Sequence, residues 1–247
     1  MDPREYEIMY RAETRHWWYL GMAVITKTLL ERRARLPRRL NILDAGCGTG
    51  AAMTSYLADY GDVTGVDLSP QALNFSRERH ASRLARASAL NLPLASASFD
   101  LVASFDVLCS CPPPGELQAL REFHRALKPG GWLILRLPAY NWLRGRHDER
   151  VHIRQRFTSG QIKSLLRQSG FIVEHLSYAN MLLFPLAAVK RTGERLLKIH
   201  SESSELSIHW TNEWFRRILT WEAPLVAGAG LPCGLSVFAL ARKPGAE

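Results

Sequence analysis

The feature that most constrains the fold of this chain is a glycine-rich turn between a short apolar run and a helix. After Ile42 and Leu43, three glycines, Gly46, Gly48 and Gly50, alternate with small residues. Alternating glycines allow positive φ angles and place no Cβ in the way of a ligand at the start of a helix. The pattern therefore predicts a strand, a tight turn and a helix, with a ligand lying against the main chain of the turn.

A second acidic position follows the turn at the distance that nucleoside binding requires. Residues 63–66 are an apolar strand that ends at Asp67, about 20 residues after the first glycine. In dinucleotide-type folds, a carboxylate at this point accepts hydrogen bonds from both ribose hydroxyls. The glycine spacing also fits NAD or FAD, but Asp44 can receive an ammonium group, which S-adenosylmethionine (SAM) carries and NAD lacks there. SAM is therefore the expected cofactor.

The string DAGCGTG, followed by GVDLS, resembles the first two motifs of class I SAM-dependent methyltransferases, and the turn at residues 128–131 resembles the KPGG turn of that family. The wider chain resembles the type 11 methyltransferase group, well over residues 40–140 and loosely in the flanks. The residues that we expect to bind the cofactor are Asp44, Gly46, Cys47, Gly48, Gly50, Asp67, Leu68, Ser88, Ala89, Leu90 and Phe105.

Two positions depart from the family pattern. Ser88 stands where relatives commonly carry an acid for the adenine amine, so that contact would come from a hydroxyl. Residues 107–110 read VLCS where relatives often read VLEH, so a histidine base is absent there. A base, where the reaction needs one, must come from elsewhere in the chain.

Strands alternate with helices over residues 40–140, which predicts a parallel sheet with helices on both faces. The expected fold is α/β, a Rossmann-like, seven-stranded, mostly parallel sheet with an N-terminal helical lid and a helical insertion before the last strand. The predicted boundaries are a lid at 1–39, a SAM-binding core at 40–180 and 230–244, and a cap at 181–229.

The stretch 138–157 follows a central strand and concentrates three aromatic residues, two histidines and five arginines. Either it is a plain surface loop or it binds anions and supplies a base, since a neighbouring carboxylate can orient a histidine. The candidate catalytic residues are His147, His152 and Asp148. The candidate substrate-binding residues are Trp17, Trp18, Tyr19, Tyr140, Arg144 and Arg146. The sequence contains no convincing metal-ligand pattern, so no metal is expected.

The predicted cap contains two amphipathic helical stretches, 181–199 and 208–226. They either pack as a cap on the sheet, form an apolar substrate pocket, or contact a bilayer surface to bind a lipid-linked substrate. The aromatic run HWWY at 16–19 likewise fits either a helix packed on the core or a lid that excludes water from the cofactor.

The net charge of +9 is compatible with nucleic acid, an anionic membrane or an acidic substrate. The absence of an NPPY-type tetrad argues against nucleic acid. No apolar run near 20 residues and a polar start predict a cytoplasmic protein without a membrane span. The four cysteines fit reduced thiols. The oligomeric state stays open.

The expected function is methyl transfer to an oxygen or nitrogen of a small or amphiphilic molecule: a natural product, a glycan or a lipid-linked compound. Three alternatives remain: a SAM-binding enzyme that catalyses a cyclisation or rearrangement, an RNA methyltransferase, and a SAM-binding partner without catalysis.

Overall fold

The computed structural model describes residues 3–34, 36, 39–197 and 211–245. Its strands are β1 (Leu40–Ala45), β2 (Gly61–Asp67), β3 (Leu84–Arg86), β4 (Phe99–Phe105), β5 (Leu127–Pro138), β6 (Ile172–Ala179) and β7 (Ser236–Arg242). They form one seven-stranded sheet in the order β3-β2-β1-β4-β5-β7-β6. Strand β7 is antiparallel to both neighbours, and the other pairs are parallel. The predicted mostly parallel sheet is confirmed.

The helices are α1 (Pro3–Ala12), α2 (Trp17–Leu29), α3 (Pro70–Glu78), α4 (Gly115–Ala126), α5 (Arg146–Arg150), α6 (Ser159–Gln168), α7 (Phe184–Leu197) and α8 (Asn212–Ala227). Helix α3 begins after Ser69, whose side chain accepts a hydrogen bond from the backbone N–H of Ala72. Thr158 forms a capping box with Gln161 at the start of α6. Among the described helices, none combines the length and the apolar character that crossing a membrane requires.

The sheet is buried between two helical layers, as the alternation of its side chains requires. On β5, Leu133 and Leu135 pack toward α4 and α6, where they meet Phe123. Ile134, between them, points to the opposite face and packs with Ile25 of α2. The helices on both faces agree with the predicted fold class.

Helix α8, part of the predicted cap, lies beside α2 on the sheet. Leu219 packs so closely on Gly21 that a Cβ at Gly21 would lie 2.4 Å from the Leu219 side chain. The Asn212 side chain also accepts a hydrogen bond of 2.8 Å from the backbone N–H of Trp17. Parts of the two predicted helical stretches, at 198–199 and 208–210, lie outside the described residues. The domain boundaries stay a prediction.

Helix α1 lies against α3 near the carboxyl ends of the first strands. The ring of Tyr10 stacks on Phe75 with centroids 4.8 Å apart, and the guanidinium of Arg79 lies 4.3 Å from the Tyr10 ring. In an open α/β sheet, ligands bind outside the carboxyl ends of the strands. The N-terminal helix therefore covers the edge at which a ligand is expected.

Candidate active site

The glycine loop that follows β1 has the backbone geometry predicted from the sequence. Gly46, Gly48 and Gly50 have φ angles of 88°, 54° and 82°. These angles are unfavourable for residues that carry a Cβ. Close packing adds a second constraint, because a Cβ at Gly46 would lie 2.1 Å from Cγ2 of Val107. The loop therefore cannot accept larger residues without moving.

Asp67, at the end of β2, is directed at this loop. One carboxylate oxygen accepts a hydrogen bond of 2.9 Å from the backbone N–H of Gly48, and the other accepts one of 2.8 Å from Ser69. Burial raises the pKa of Asp67, and the two N–H donors oppose that shift. Each oxygen retains capacity for a further hydrogen bond.

Asp44, the last polar residue of β1, is 1% exposed, and its Oδ2 atom has no hydrogen-bond partner among the described residues. Burial raises its pKa to about 7, helped by the negative charges of Asp67 and Glu13 and opposed by Arg136. A buried carboxylate oxygen without a donor is costly. A cationic donor on a ligand would satisfy it, so the site fits the ammonium of SAM.

The segment after α1 closes on the glycine loop through Glu13. This carboxylate accepts a hydrogen bond from the Thr49 side chain and forms a salt bridge of 3.2 Å with Arg79. Burial raises the pKa of Glu13, whereas Thr49 and Arg79 lower it. Sequence reasoning missed Glu13 because nothing in the local pattern distinguishes it from a solvent-exposed helix residue.

A buried ion pair lies at the carboxyl ends of β4 and β5. Arg136 donates from Nε and Nη2 to Oδ2 of Asp106 at 2.9 and 2.6 Å. Its guanidinium lies 4.6 Å from the ring of Trp18 and 5.1 Å from that of Phe105. Asp106 has a φ of 58°, uncommon for a non-glycine residue. Its Oδ1 accepts no hydrogen bond from the described residues, and its side chain is 27% exposed.

This ion pair adjoins the glycine loop. Val107, the residue after Asp106, packs on Gly46. The charge of Arg136 also lowers the pKa values of Asp44 and Glu13, which shows that it acts on the same polar region. Burial alone would lower the pKa of Arg136, but Asp106 and two tyrosines raise it overall, so the arginine stays charged. No local sequence signal distinguishes Arg136, because the residues beside it in β5 are all apolar.

The residues predicted to bind the cofactor lie at the carboxyl ends of four adjacent strands or just after them, in the order β3, β2, β1 and β4. They therefore lie along one continuous stretch of the sheet edge. Leu68 is exposed, Cys47 is buried with its thiol pKa raised, and the Ser88 hydroxyl accepts a hydrogen bond of 3.1 Å from the backbone of Leu90. The role of each residue in binding stays a prediction.

The predicted catalytic residues lie in the loop after β5. Asp148 is fully buried, and its carboxylate accepts hydrogen bonds from the Arg156 side chain at 2.7 and 3.1 Å and from the Gly145 backbone at 2.6 Å. These bonds hold the loop together. His152 is exposed with a φ of 59°, and the side chain of His147 lies outside the described structure. Their catalytic roles stay a prediction.

The predicted aromatic lid divides between two environments. Trp18 covers Arg136 and contacts Tyr19 edge-on at 4.9 Å, and burial raises the pKa of Tyr19. Trp17 instead packs on Phe215 of α8, with ring centroids 5.3 Å apart. Two residues of HWWY therefore face the ion pair, and one joins α2 to α8.

The remaining predicted substrate-binding residues follow β5. Tyr140 stacks on Tyr178 with centroids 5.2 Å apart, and Arg144 and Arg146 are exposed on the loop that follows. That loop approaches the site, because the backbone N–H of Arg154 donates 2.8 Å to the carbonyl of Cys109. Within the described ranges, no group of histidine, cysteine and acidic side chains has an arrangement that could hold a metal ion.

A family model described as a methyltransferase domain matches residues 43–135, which include the glycine loop, Asp67 and Asp106. This chain contains a class I SAM-dependent methyltransferase domain. The cofactor of this domain is SAM, which agrees with the fit of Asp44 to an ammonium group.

Similar curated proteins match the same part of the methyltransferase domain. Malonyl-[acyl-carrier protein] O-methyltransferase from Enterobacter lignolyticus is 42% identical over 104 residues, which are 40% of this chain and 40% of that protein. Demethylmenaquinone methyltransferase from Staphylococcus aureus is 36% identical over 102 residues, or 38% of this chain and 42% of that protein. The chain thus matches about two fifths of the length of these relatives.

Solved structures resemble nearly the whole chain. A methyltransferase in complex with the Haloferax volcanii Trm112 methyltransferase activator has a TM-score of 0.64 at 18% identity, covering 99% of this chain and 95% of that one. A SAM-dependent methyltransferase from Thermotoga maritima has a TM-score of 0.58 at 21% identity, covering 97% and 95%. At these identities the likeness shows the fold: the flanking helices and the domain together form a methyltransferase-type architecture.

Proposed function

We propose that this chain transfers the methyl group of SAM to an oxygen or nitrogen of a small or amphiphilic molecule. The observation that carries the proposal is the buried Oδ2 atom of Asp44 beside the glycine loop, to which no group of the described ranges donates a hydrogen bond. Its position suits the ammonium of SAM, and Asp67 has acceptor capacity left for the ribose hydroxyls. Ser88 and Ala89 are the proposed neighbours of the adenine.

SAM, when bound, supplies an electrophilic methyl carbon, so the main task of the chain is to align an acceptor with it. Trp18 and Phe105 would keep water from this region, because their rings already enclose the guanidinium of Arg136. Arg136 would fix the carboxylate of Asp106. When the acceptor carries a proton, Oδ1 of Asp106 is the proposed atom that takes it. His147 and His152 remain the alternative bases.

The relatives' names suggest two acceptors to test, malonyl-[acyl-carrier protein] and a demethylmenaquinone. They should be incubated with SAM and the chain, next to a set of small hydroxyl and amine compounds. A product that gains the mass of one methyl group would support methyl transfer, and fragmentation that places this methyl on oxygen or nitrogen would support the proposed acceptor atom. A methyl group found on carbon would overturn that part of the proposal. A product that forms without that gain would replace methyl transfer by a rearrangement or cyclisation.

Cofactor binding can be tested separately from the acceptor. Isothermal titration with S-adenosylhomocysteine should give an affinity that falls about 10- to 100-fold in Asp44→Asn, because a charged hydrogen bond is lost. Asp100→Asn is a matched control, because Asp100 lies at the amino-terminal ends of the strands, away from the glycine loop. This variant should bind S-adenosylhomocysteine like the wild type. Binding of NADH in place of S-adenosylhomocysteine, or an unchanged affinity in Asp44→Asn, would overturn the proposal.

A further inference from the structure

Helix α7 presents an apolar stripe to solvent. Leu186 and Val189 are exposed, Val189 to 72%, and their spacing of three residues puts them on one side of α7. Leu182, in the turn that precedes the helix, is also exposed. Trp142 is also exposed, and its ring contacts Phe184 of the same helix edge-on at 5.9 Å. Trp142, Leu182, Leu186 and Val189 are called the α7 surface below.

Helix α8 has a second stripe of the same kind. Trp214, Trp221 and Leu225 are exposed, Trp221 to 80%, at spacings of seven and four residues. The two stripes lie on adjoining elements, because the buried Glu222 of α8 accepts a hydrogen bond of 2.7 Å from the backbone N–H of Leu182. Large exposed apolar side chains grouped in this way mark an interaction surface.

Basic side chains border the α7 surface. The loop from 144 to 156 carries five arginines and two acidic residues, Asp148 and Glu149. Arg156 pairs with the buried Asp148, and Arg150 lies 3.9 Å from a carboxylate oxygen of Glu5, so the loop keeps a positive balance. Arg144 and Arg146 are exposed on this loop. Gly145, between them, lies against the guanidinium of Arg191 on α7. The edge of the apolar surface is therefore positively charged.

We propose that the α7 surface and the α8 stripe dock onto an anionic lipid bilayer. Tryptophan, leucine and valine would enter the headgroup region, while the arginines would contact lipid phosphates. A second copy of the chain fits less well, because a two-fold interface would bring the same arginines together on molecules of net charge +9. A bilayer also accepts side chains that protrude from two helices without a matching groove.

The position of this surface points to a substrate class. The α7 surface includes Trp142, which follows β5 by four residues and lies beside Tyr140 at the carboxyl edge of the sheet. The same edge carries the glycine loop and Asp106. If the proposed methyl transfer is correct, the acceptor is an amphiphile that enters from the bilayer. This step rests on the proposed function, whereas docking itself does not.

The test is co-sedimentation of the full chain with phosphatidylcholine vesicles, with and without phosphatidylglycerol. We expect binding only when phosphatidylglycerol is present. Arg144→Gln combined with Arg146→Gln should weaken it about 25-fold, since each arginine near an anionic surface contributes about fivefold. Val189→Ser combined with Trp221→Ser should weaken it about tenfold or more, because apolar burial is lost.

Matched controls separate this surface from general charge and hydrophobicity. Arg121→Gln with Arg167→Gln removes two exposed arginines from α4 and α6, and Ile172→Ser removes an exposed apolar side chain at the opposite edge of the sheet. Both should bind vesicles like the wild type. The proposal fails if phosphatidylglycerol vesicles are not bound, if the controls weaken binding as much, or if light scattering shows a dimer that Trp221→Ser abolishes.

Titration with S-adenosylhomocysteine on every variant keeps the two proposals apart. Retained cofactor binding without vesicle binding would reject docking alone. Vesicle binding without cofactor binding would reject the proposed function and leave docking intact.

Discussion

A salt bridge joins strands β4 and β5 at each of their two ends. The two salt bridges pair the same kinds of group but differ in burial and surroundings. At the amino-terminal ends of the parallel strands, which we call the amino edge, Asp100 forms a salt bridge of 2.7 Å with Lys128, and the lysine side chain is 39% exposed. At the carboxyl edge, Asp106 bonds Arg136 at 2.6 Å, and the arginine side chain is only 9% exposed.

The difference shows that the position of an ion pair in the sheet decides whether it belongs to the candidate active site. The Asp100 carboxylate is also bonded to the backbone of Asn41, so it ties strands together. Within the described part of the chain, one oxygen of the Asp106 carboxylate accepts no hydrogen bond, and the residue has an uncommon backbone conformation. Its arginine lies between two aromatic rings. Burial strengthens the second pair and makes it costly to disturb, whereas an exposed pair contributes little.

The largest expected difference between the pairs is catalytic. Asp106→Asn should lower kcat for a hydroxyl or ammonium acceptor by about 100- to 10,000-fold, because a general base contributes this much. Asp100→Asn should leave kcat unchanged. Equal kcat values in the two variants would contradict a catalytic role for Asp106, and His147 or His152 would then be the candidate base.

A stability measurement compares the basic partners. Arg136→Met should lower the free energy of unfolding by about 3 kcal/mol, because it leaves Asp106 without its partner and removes two ring contacts. Urea denaturation followed by circular dichroism would measure it. A loss below 1 kcal/mol would mean that Asp106 is well solvated without the arginine.

The carboxylate of Asp44, also at the carboxyl ends of the strands, should make the stability of the protein depend on pH. The folded-state pKa of Asp44, about 7, is above its usual value of 3.8. The folded protein therefore binds this proton more tightly than the unfolded chain, and the resulting stability is present below about pH 4 and lost as pH rises through 7. Ligand-free wild type should lose on the order of 3 kcal/mol across this range from Asp44 alone.

Asp44→Asn is the variant that checks this pH effect, since asparagine does not titrate. Its urea midpoint should fall less between pH 4 and 7 than that of the wild type. Identical pH profiles would show that Asp44 keeps its ordinary pKa in the folded chain.

The smallest expected effect is at the amino edge. Lys128→Met should change the free energy of unfolding by less than about 1 kcal/mol, because the pair with Asp100 is partly solvated. The same urea experiment measures it. A loss as large as that of Arg136→Met would remove the distinction between the two edges.

Local patterns predicted much of the cofactor half of the molecule. Gly46 and Gly50 predict positive φ angles. An apolar run that ends in Asp67 predicts a carboxylate at the end of a strand. Ser69 and Thr158, which cap α3 and α6, are residue types that mark helix starts in a sequence. The half that surrounds the acceptor was less predictable: Asp148 looked like a histidine's partner but is bonded to Arg156, and Trp17 packs on α8 rather than over the ion pair.

The sequence by itself determined the strand, glycine turn and helix, because backbone conformation there depends on the residues of the turn. It also determined the alternation that makes a parallel sheet, whose carboxyl ends must share an edge. Only the tertiary structure decided that Trp18, Phe105 and Asp106 meet around Arg136. Those residues come from a helix and two strands far apart in the chain, and their contact depends on how α2 packs against the sheet, which no local pattern encodes.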